Sequence, residues 1–311
     1  LHRKINTLQG YRKDGCFGKE IRIVFNLCLF VFLAALFSCS VDEGSPPSLV
    51  LLKDSGFVHQ DTTLAAGAVF SLGIEAFAGD EVLTNITIKS STAGTLLDSG
   101  IHTTHLRLNR TISKDISDTE QITVTVMDKG RLKATYSIAI TRDVNAAWGK
   151  IIHYPSLVLG AQASADYQPC LSLQPAHVYP ADSATLFPDL IDILYYYNPG
   201  GGVPIYASVF SSPGESEAPL FYPFLNSWPV KNSTYYNTET TVTEAEFNQC
   251  SNDSLLIASY HEGTSKRKFK NAAEGNLIPF RLANGKVGML FVKNIDGLEA
   301  GYVEIAVKIQ E

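Results

Sequence analysis

The segment Gln121-Ile-Thr-Val-Thr-Val-Met127 alternates strictly, with Ile122, Val124 and Val126 on one side and Thr123 and Thr125 on the other. A two-residue period matches the pleat of a strand and cannot line one face of a helix. The stretch is therefore expected to be a strand with one buried and one wet face. Similar short runs recur over 48–52, 69–77, 83–89, 105–112 and 132–140, with turn residues between them. Asp128-Lys-Gly130 is expected to close a hairpin, with Gly130 supplying the positive φ.

About seven such strands within about a hundred residues fit an immunoglobulin-like sandwich. No Cys-Trp-Cys pattern accompanies them, so this expectation rests on strand count and spacing. The second half of the chain is also strand-rich. Leu277-Ile-Pro-Phe-Arg-Leu282, Lys286-Val-Gly-Met-Leu-Phe-Val-Lys293 and Gly301-Tyr-Val-Glu-Ile-Ala-Val-Lys-Ile309 predict a three-stranded meander. Asn284-Gly285 predicts a type I′ turn, and Asp296-Gly297 marks the next one. Leu190-Ile-Asp-Ile-Leu-Tyr-Tyr-Tyr197 is apolar on both faces, which places it centrally in a sheet. Thr243 with Glu246 forms a capping box, so a short helix is expected over 244–249, and a helical turn over 182–187. The fold class is thus all-β: two sandwich-like domains in tandem, the first immunoglobulin-like, the second larger with long loops and one or two short helices.

The N-terminal segment has a different character. Arg3, Lys4, Arg12, Lys13, Lys19 and Arg22 precede an apolar run from Ile23 to Phe37, which ends at Ser38-Cys39. That order is the pattern of a secretory signal. A retained membrane helix is the other reading of the run. The acidic, flexible Ser40-Val-Asp-Glu-Gly-Ser-Pro-Pro47 that follows, with no basic stop-transfer cluster, favours cleavage.

Leu36-Phe37-Ser38-Cys39 resembles the lipobox of bacterial lipoproteins. The resemblance implies cleavage before Cys39 and lipidation of its sulfur and amino group. Burial of about 0.8 kcal/mol per lipid methylene makes two or three chains a stable anchor. Asp42-Glu43 resembles the surface-export signal of Bacteroidetes lipoproteins, which implies the outer face of the outer membrane. The final strand pair of the first module, Thr-Val-Thr-Val-Met127-Asp-Lys-Gly-Arg131 and Tyr136-Ser-Ile-Ala-Ile-Thr141, is similar to the small β-sandwich modules of Bacteroidetes surface lipoproteins. The later region resembles C-terminal regions of Bacteroidales lipoproteins of unsettled function. The expected organisation is a signal peptide over 1–38, a tether over 39–47, an immunoglobulin-like module over 48–145 and a β-rich C-terminal domain over 146–311. Residues 142–149 form the linker, where Trp148 is expected to wedge a domain interface.

The net charge is −6 over the chain, and −10 once residues 1–38, with six basic and two acidic side chains, are removed. An acidic protein with no basic stripe is a poor nucleic-acid binder. Beyond Cys39 only Cys170 and Cys250 remain, either as one disulfide or as two free thiols.

No hydrolase elbow, zinc-protease motif, phosphate loop or dinucleotide fingerprint occurs. His102 and His105 have a spacing that puts them on opposite faces of a strand, so no metal site and no cofactor are expected. His261-Glu262 reads as a solvated turn. Asp189 and Asp192 also sit at odd spacing. Paired carboxylates carry glycoside hydrolysis, but these two should diverge. Asp192, in an apolar strand, needs a structural partner such as Arg281 or a backbone donor.

The aromatic content is the best functional hint. Tyr197, Tyr206, Trp228 and Tyr235 lie in sequence rich in Pro, Ser and Asn. Sugar rings stack on such faces, and interfaces favour them, so these four are the candidate ligand-binding residues. The alternative is that they pin long loops to the sandwich. The resulting expectation is a non-catalytic, lipid-anchored outer-membrane surface protein that binds polysaccharide or a partner protein through its C-terminal domain. A subunit of an adhesive or pilus-like assembly is the alternative, and a hydrolase is a third reading.

Overall fold

The computed structural model describes residues 44–200 and 208–311. The expected signal peptide, Cys39, the Asp42-Glu43 pair and Tyr206 lie outside the described residues. Residues 45–311 form one compact unit. The described chain is built mainly of strands, arranged in four sheets, with a few short helices.

The first half holds β1 (Ser48–Leu51), β2 (Thr62–Leu64), β3 (Val69–Phe77), β4 (Leu83–Ser90), β5 (Gly94–Thr103), β6 (His105–Ser113), β7 (Thr119–Asp128) and β8 (Lys133–Arg142). They form a three-stranded sheet, β1-β3-β6, and a five-stranded one, β2-β8-β7-β4-β5. All pairs are antiparallel except β2 with β8. The inward residues predicted from alternation, Ile122, Val124 and Val126, join Leu72, Ile74, Ile86 and Ile88 in one core. Across β7 and β8 the outward threonines pair instead, with Thr125 Oγ1 at 3.1 Å from Thr135 Oγ1.

The second half holds β9 (Ile151–Gly160), β10 (Cys170–Leu173), β11 (Ala176–Tyr179), β12 (Ile193–Tyr197), β13 (Ser208–Ser211), β14 (Tyr235–Tyr236), β15 (Lys268–Lys270), β16 (Leu277–Arg281), β17 (Val287–Asp296) and β18 (Tyr302–Gln310). One sheet runs β14-β16-β17-β18-β9 and the other β11-β10-β12-β13-β15. The meander β16–β17–β18 is as expected, and β12 is central. The reason β12 is apolar on both sides is its two covers. Ile193 and Tyr195 face the core between the sheets, while Leu194 and Tyr196 face a second cluster under α1 (Ala181–Leu186) and α2 (Ala218–Phe221). On the opposite side, α3 (Glu244–Gln249) and α4 (Ser254–Ser259) bury Phe247, Leu256 and Ile257 against Val287, Met289 and Ala306.

Local chemistry explains α3. Thr243 Oγ1 accepts from Glu246 N at 3.3 Å, and Glu246 Oε2 accepts from Thr243 N at 2.8 Å, completing the predicted capping box. At the other end the buried Lys308 ammonium donates to the Phe247, Asn248 and Cys250 carbonyls. A cation there meets the negative end of the helix and its orphan carbonyls.

Two turns differ from expectation. In the Asp128 hairpin the positive φ belongs to Arg131, at 67°, not to Gly130. Asp128 Oδ1 accepts from Leu132 N at 2.8 Å, and this side-chain bond holds the tight loop in place of a glycine's freedom. In the Asn284-Gly285 loop Gly285 alone has positive φ, at 90°. A type I′ turn needs both, so the connection is a longer loop closed by Leu282 N to Lys286 O at 2.9 Å.

The two halves interlock. Arg110 Nη2 lies 3.1 Å from Glu262 Oε1, Ser113 Oγ donates to Gly285 O at 2.5 Å, and Gln310 Nε2 donates to Gly67 O at 3.4 Å. The backbone at Gly263 passes so close that a Cβ there would stand 2.1 Å from Ala93 O. Among the described residues no helix is long and apolar enough to cross a membrane.

Candidate functional site

The stretches 181–192 and 212–232, which flank β12 and β13, cover the outer face of the β10-β12-β13 sheet with little regular structure of their own. Aromatic side chains hold them down. Phe221 stacks on Tyr196 with ring centres 4.0 Å apart, and the Tyr222 hydroxyl donates to the Tyr195 carbonyl. Phe224 leans on Trp228 at 5.6 Å, and Trp228 Nε1 donates to Thr185 Oγ1 at 3.3 Å. Asn232 Nδ2 reaches back to the carbonyls of Asp189 and Ile191 at 2.7 and 3.0 Å.

Trp228 is therefore only 5% exposed, with its ring in the cluster of Tyr196, Tyr222 and Leu225. Tyr197 is half-buried at the end of β12 and packs on the intersheet core, while its backbone is bracketed by Gln162 at 2.6 and 2.9 Å. Tyr235 is half-buried in β14 on the other sheet, with the Arg281 guanidinium 5.4 Å from its ring centre. These three residues are not gathered on one exposed patch; each fixes a different piece of backbone or charge. Alternation and loop composition single out aromatics but cannot distinguish a ring that pins a loop from one that meets a ligand.

Asp192 has the backbone partner foreseen for it. Its Oδ2 accepts from Leu173 N at 2.9 Å. Burial pushes its carboxyl up to about 6, against the lowering effect of that bond. Asp189 is exposed, so the two carboxylates do not share a surface. His102 is on β5 and His105 on β6, where His105 stacks on Phe77 and meets Glu75 at 3.0 Å. Cys170 and Cys250 are free thiols, the former buried. Trp148 is exposed rather than wedged.

Glu262 departs most from expectation. Its carboxylate is bidentate to Arg281 at 2.7 and 2.7 Å, accepts from the Tyr260 hydroxyl at 2.8 Å and reaches Arg110 at 3.1 Å. What looked like a solvated turn is a largely buried charge cluster. His261 is exposed, as expected; Glu262 is not, because its partners Arg110 and Arg281 come from β6 and β16.

The exposed counterpart of the pinned stretches is apolar. Leu186 is 73% and Leu220 77% exposed, and Phe187, Leu190 and Val230 are exposed with them. An aromatic row leads onto this face from the edge strand β11. His177 and Tyr179 meet edge-on at 4.3 Å, and Tyr179 lies 6.4 Å from Phe187. Contiguous exposed apolar surface marks contact sites, whereas single exposed leucines do not. The sequence pattern singles out neighbouring aromatics rather than these residues, because exposure depends on which side of α1 and α2 the sheet covers.

No protein-family model matches the chain, and no curated protein matches it. Among solved structures it is similar to the crystal structure of a DUF4466 family protein from Parabacteroides merdae. That likeness covers 86% of this chain and 99% of the other, at 14% identity and a TM-score of 0.41.

Proposed function

We propose that the chain is a non-catalytic, lipid-anchored protein of the outer-membrane surface, which binds a partner protein through the apolar face of its C-terminal half. The observation that carries this reading is the exposure of Leu186, Phe187, Leu190, Leu220 and Val230 on the two stretches that flank β12 and β13. Aliphatic side chains offer desolvation area to a protein surface but little to a sugar hydroxyl. The Ser38-Cys39 site after an apolar run supports the anchor, and Asp42-Glu43 supports the outer face. We read the first half as an immunoglobulin-like spacer in tandem with the distal β domain. Its β1-β3-β6 and β2-β8-β7-β4-β5 sheets, with β2 parallel to β8, support that topology.

The row His177, Tyr179 and Phe187 favours a second reading, in which the ligand is a polysaccharide stacked on rings. The long outer strand β9 favours strand addition in an adhesive assembly, although Pro155 interrupts its donors.

The test compares the wild type with Leu186→Asp/Leu220→Asp, in capture of surface proteins and on a polysaccharide panel. Recovery of one protein by the wild type, reduced at least tenfold in an equally stable variant, is the expected result. Equal recovery, or binding to polysaccharide alone, overturns the protein reading. For the anchor, Cys39→Ser is expected to abolish fatty-acid labelling and release the protein from membranes.

A further inference from the structure

The two sheets of the second half meet edge to edge at β14 and the run before β15. Tyr236 N donates to the Lys266 carbonyl at 2.7 Å, and Lys266 N donates to the Tyr236 carbonyl at 2.8 Å. Tyr236 and Phe269 point into the core between the sheets. Strand side chains alternate, so Tyr235, Lys268 and Lys270 point outward beside this seam. With Lys266, Arg267 and the hydroxyls of Thr238 and Ser265 they line an open groove of about 510 Å³. Small-ligand sites span about 300–1,000 Å³, so the groove has room for a ligand of a few rings.

The groove is basic, in a chain whose net charge is −6. Four cations line it, and the one lining carboxylate is Glu215. Glu217, just before α2, reaches Lys268 at 2.6 Å. Lys268 also meets Glu215 at 3.4 Å, so its ammonium is already held between two carboxylates. The Arg267 guanidinium is fixed too: Nη1 donates to the Gly214 carbonyl at 2.5 Å, and Nε stands 3.6 Å from Glu215 Oε2. Lys266 is exposed. Four cations less two carboxylates leave two positive charges in excess, and a groove lined by one sign of charge concentrates ions of the other.

Tyr235, one of the four aromatics singled out in the sequence, stands among these cations. Arg281, its register partner on β16, supports the ring at 5.4 Å from its centre. A phenol ring beside cations and hydroxyls is the complement of a sugar acid. The apolar C–H face of the sugar stacks on the ring, its carboxylate meets Lys or Arg, and its hydroxyls bond to Thr and Ser. An acidic peptide matches the charge but leaves the ring and the hydroxyls unused. Nor can it add as a strand at Lys266, where the two edges already bond each other.

We propose that this groove binds a short uronic-acid oligosaccharide, with a sugar ring on Tyr235 and carboxylates on Lys266 and Arg267. Lys268 and Lys270 contribute charge to the groove. The site shares no residue with the exposed apolar face and stands apart from the protein-binding reading.

The test is calorimetric titration of the full chain, in detergent, with tetragalacturonate, the neutral maltotetraose and hexaglutamate. Saturable binding of tetragalacturonate is expected, at least tenfold tighter than either other probe. It should weaken at least tenfold from about 0.05 M to about 0.5 M salt, because exposed charges are screened. Lys266→Gln, at an exposed position, is expected to weaken tetragalacturonate at least fivefold. Tyr235→Leu is expected to weaken it at least tenfold and to leave its salt dependence unchanged. No saturable heat with tetragalacturonate, equal binding of maltotetraose or hexaglutamate, or unchanged affinity in Lys266→Gln overturns the proposal. If Tyr235→Leu does not fold, the three probes and Lys266→Gln decide it.

Discussion

Replacing Asp192 by Asn tests how the second half tolerates a carboxyl beneath its central strand. The side chain precedes β12, and its one hydrogen-bond donor is Leu173 N, at 2.9 Å. Burial raises the carboxyl from 3.8 to about 6, so the folded chain holds this proton more tightly than the unfolded chain does. Between about pH 4 and pH 6 the unfolded state loses a proton that the folded state keeps. The contribution of Asp192 to stability therefore falls as pH rises through that window and is lowest above it. A shift of about two units corresponds to about 3 kcal/mol, as an upper order of magnitude. An Asn oxygen keeps the Leu173 bond without charge, but its amide protons need acceptors, at a cost of about 1 kcal/mol or more. Asp192→Asn is thus expected to be more stable than the wild type by about 1–2 kcal/mol at pH 8 and slightly less stable at pH 4. Urea unfolding of both proteins from pH 4 to pH 8 measures this, and titration of every other group cancels in the difference. A difference that stays constant over that range, or that moves against Asn as pH rises, would refute the reasoning.

Glu262→Gln leaves the buried Arg281 guanidinium with no carboxylate in contact, which is expected to cost about 3–5 kcal/mol in urea unfolding. Gly263→Ala drives a methyl against the Ala93 carbonyl, so a loss of about 1–3 kcal/mol and faster proteolysis at the junction are expected. Thr243→Ala removes the cap of α3 and is expected to cost about 1 kcal/mol by thermal unfolding. Thiol labelling of the native chain is expected at Cys250 first. Cys170 reacts only on unfolding, since burial pushes its thiol up to about 12.

The strands were legible wherever the two-residue period was unbroken, as in β7, because alternation reports which face is dry before any partner is known. The α3 cap was legible because Thr243 and Glu246 act within one turn. The double apolarity of the β12 region foretold a central strand, although not the helices that cover its outer side. The turns were misread where a side chain replaced glycine, as Asp128 does for Arg131.

By itself, then, the sequence determined an acidic, strand-built chain following a signal-like segment, since charge and alternation are local properties. Only the tertiary structure decided which aromatics are buried and which aliphatics face outward. It alone turned Glu262 into the hub of a junction, because Arg110 is 152 residues away in the chain and Arg281 is 19. Pairing at that distance depends on how sheets stack, and no local pattern of residues encodes it.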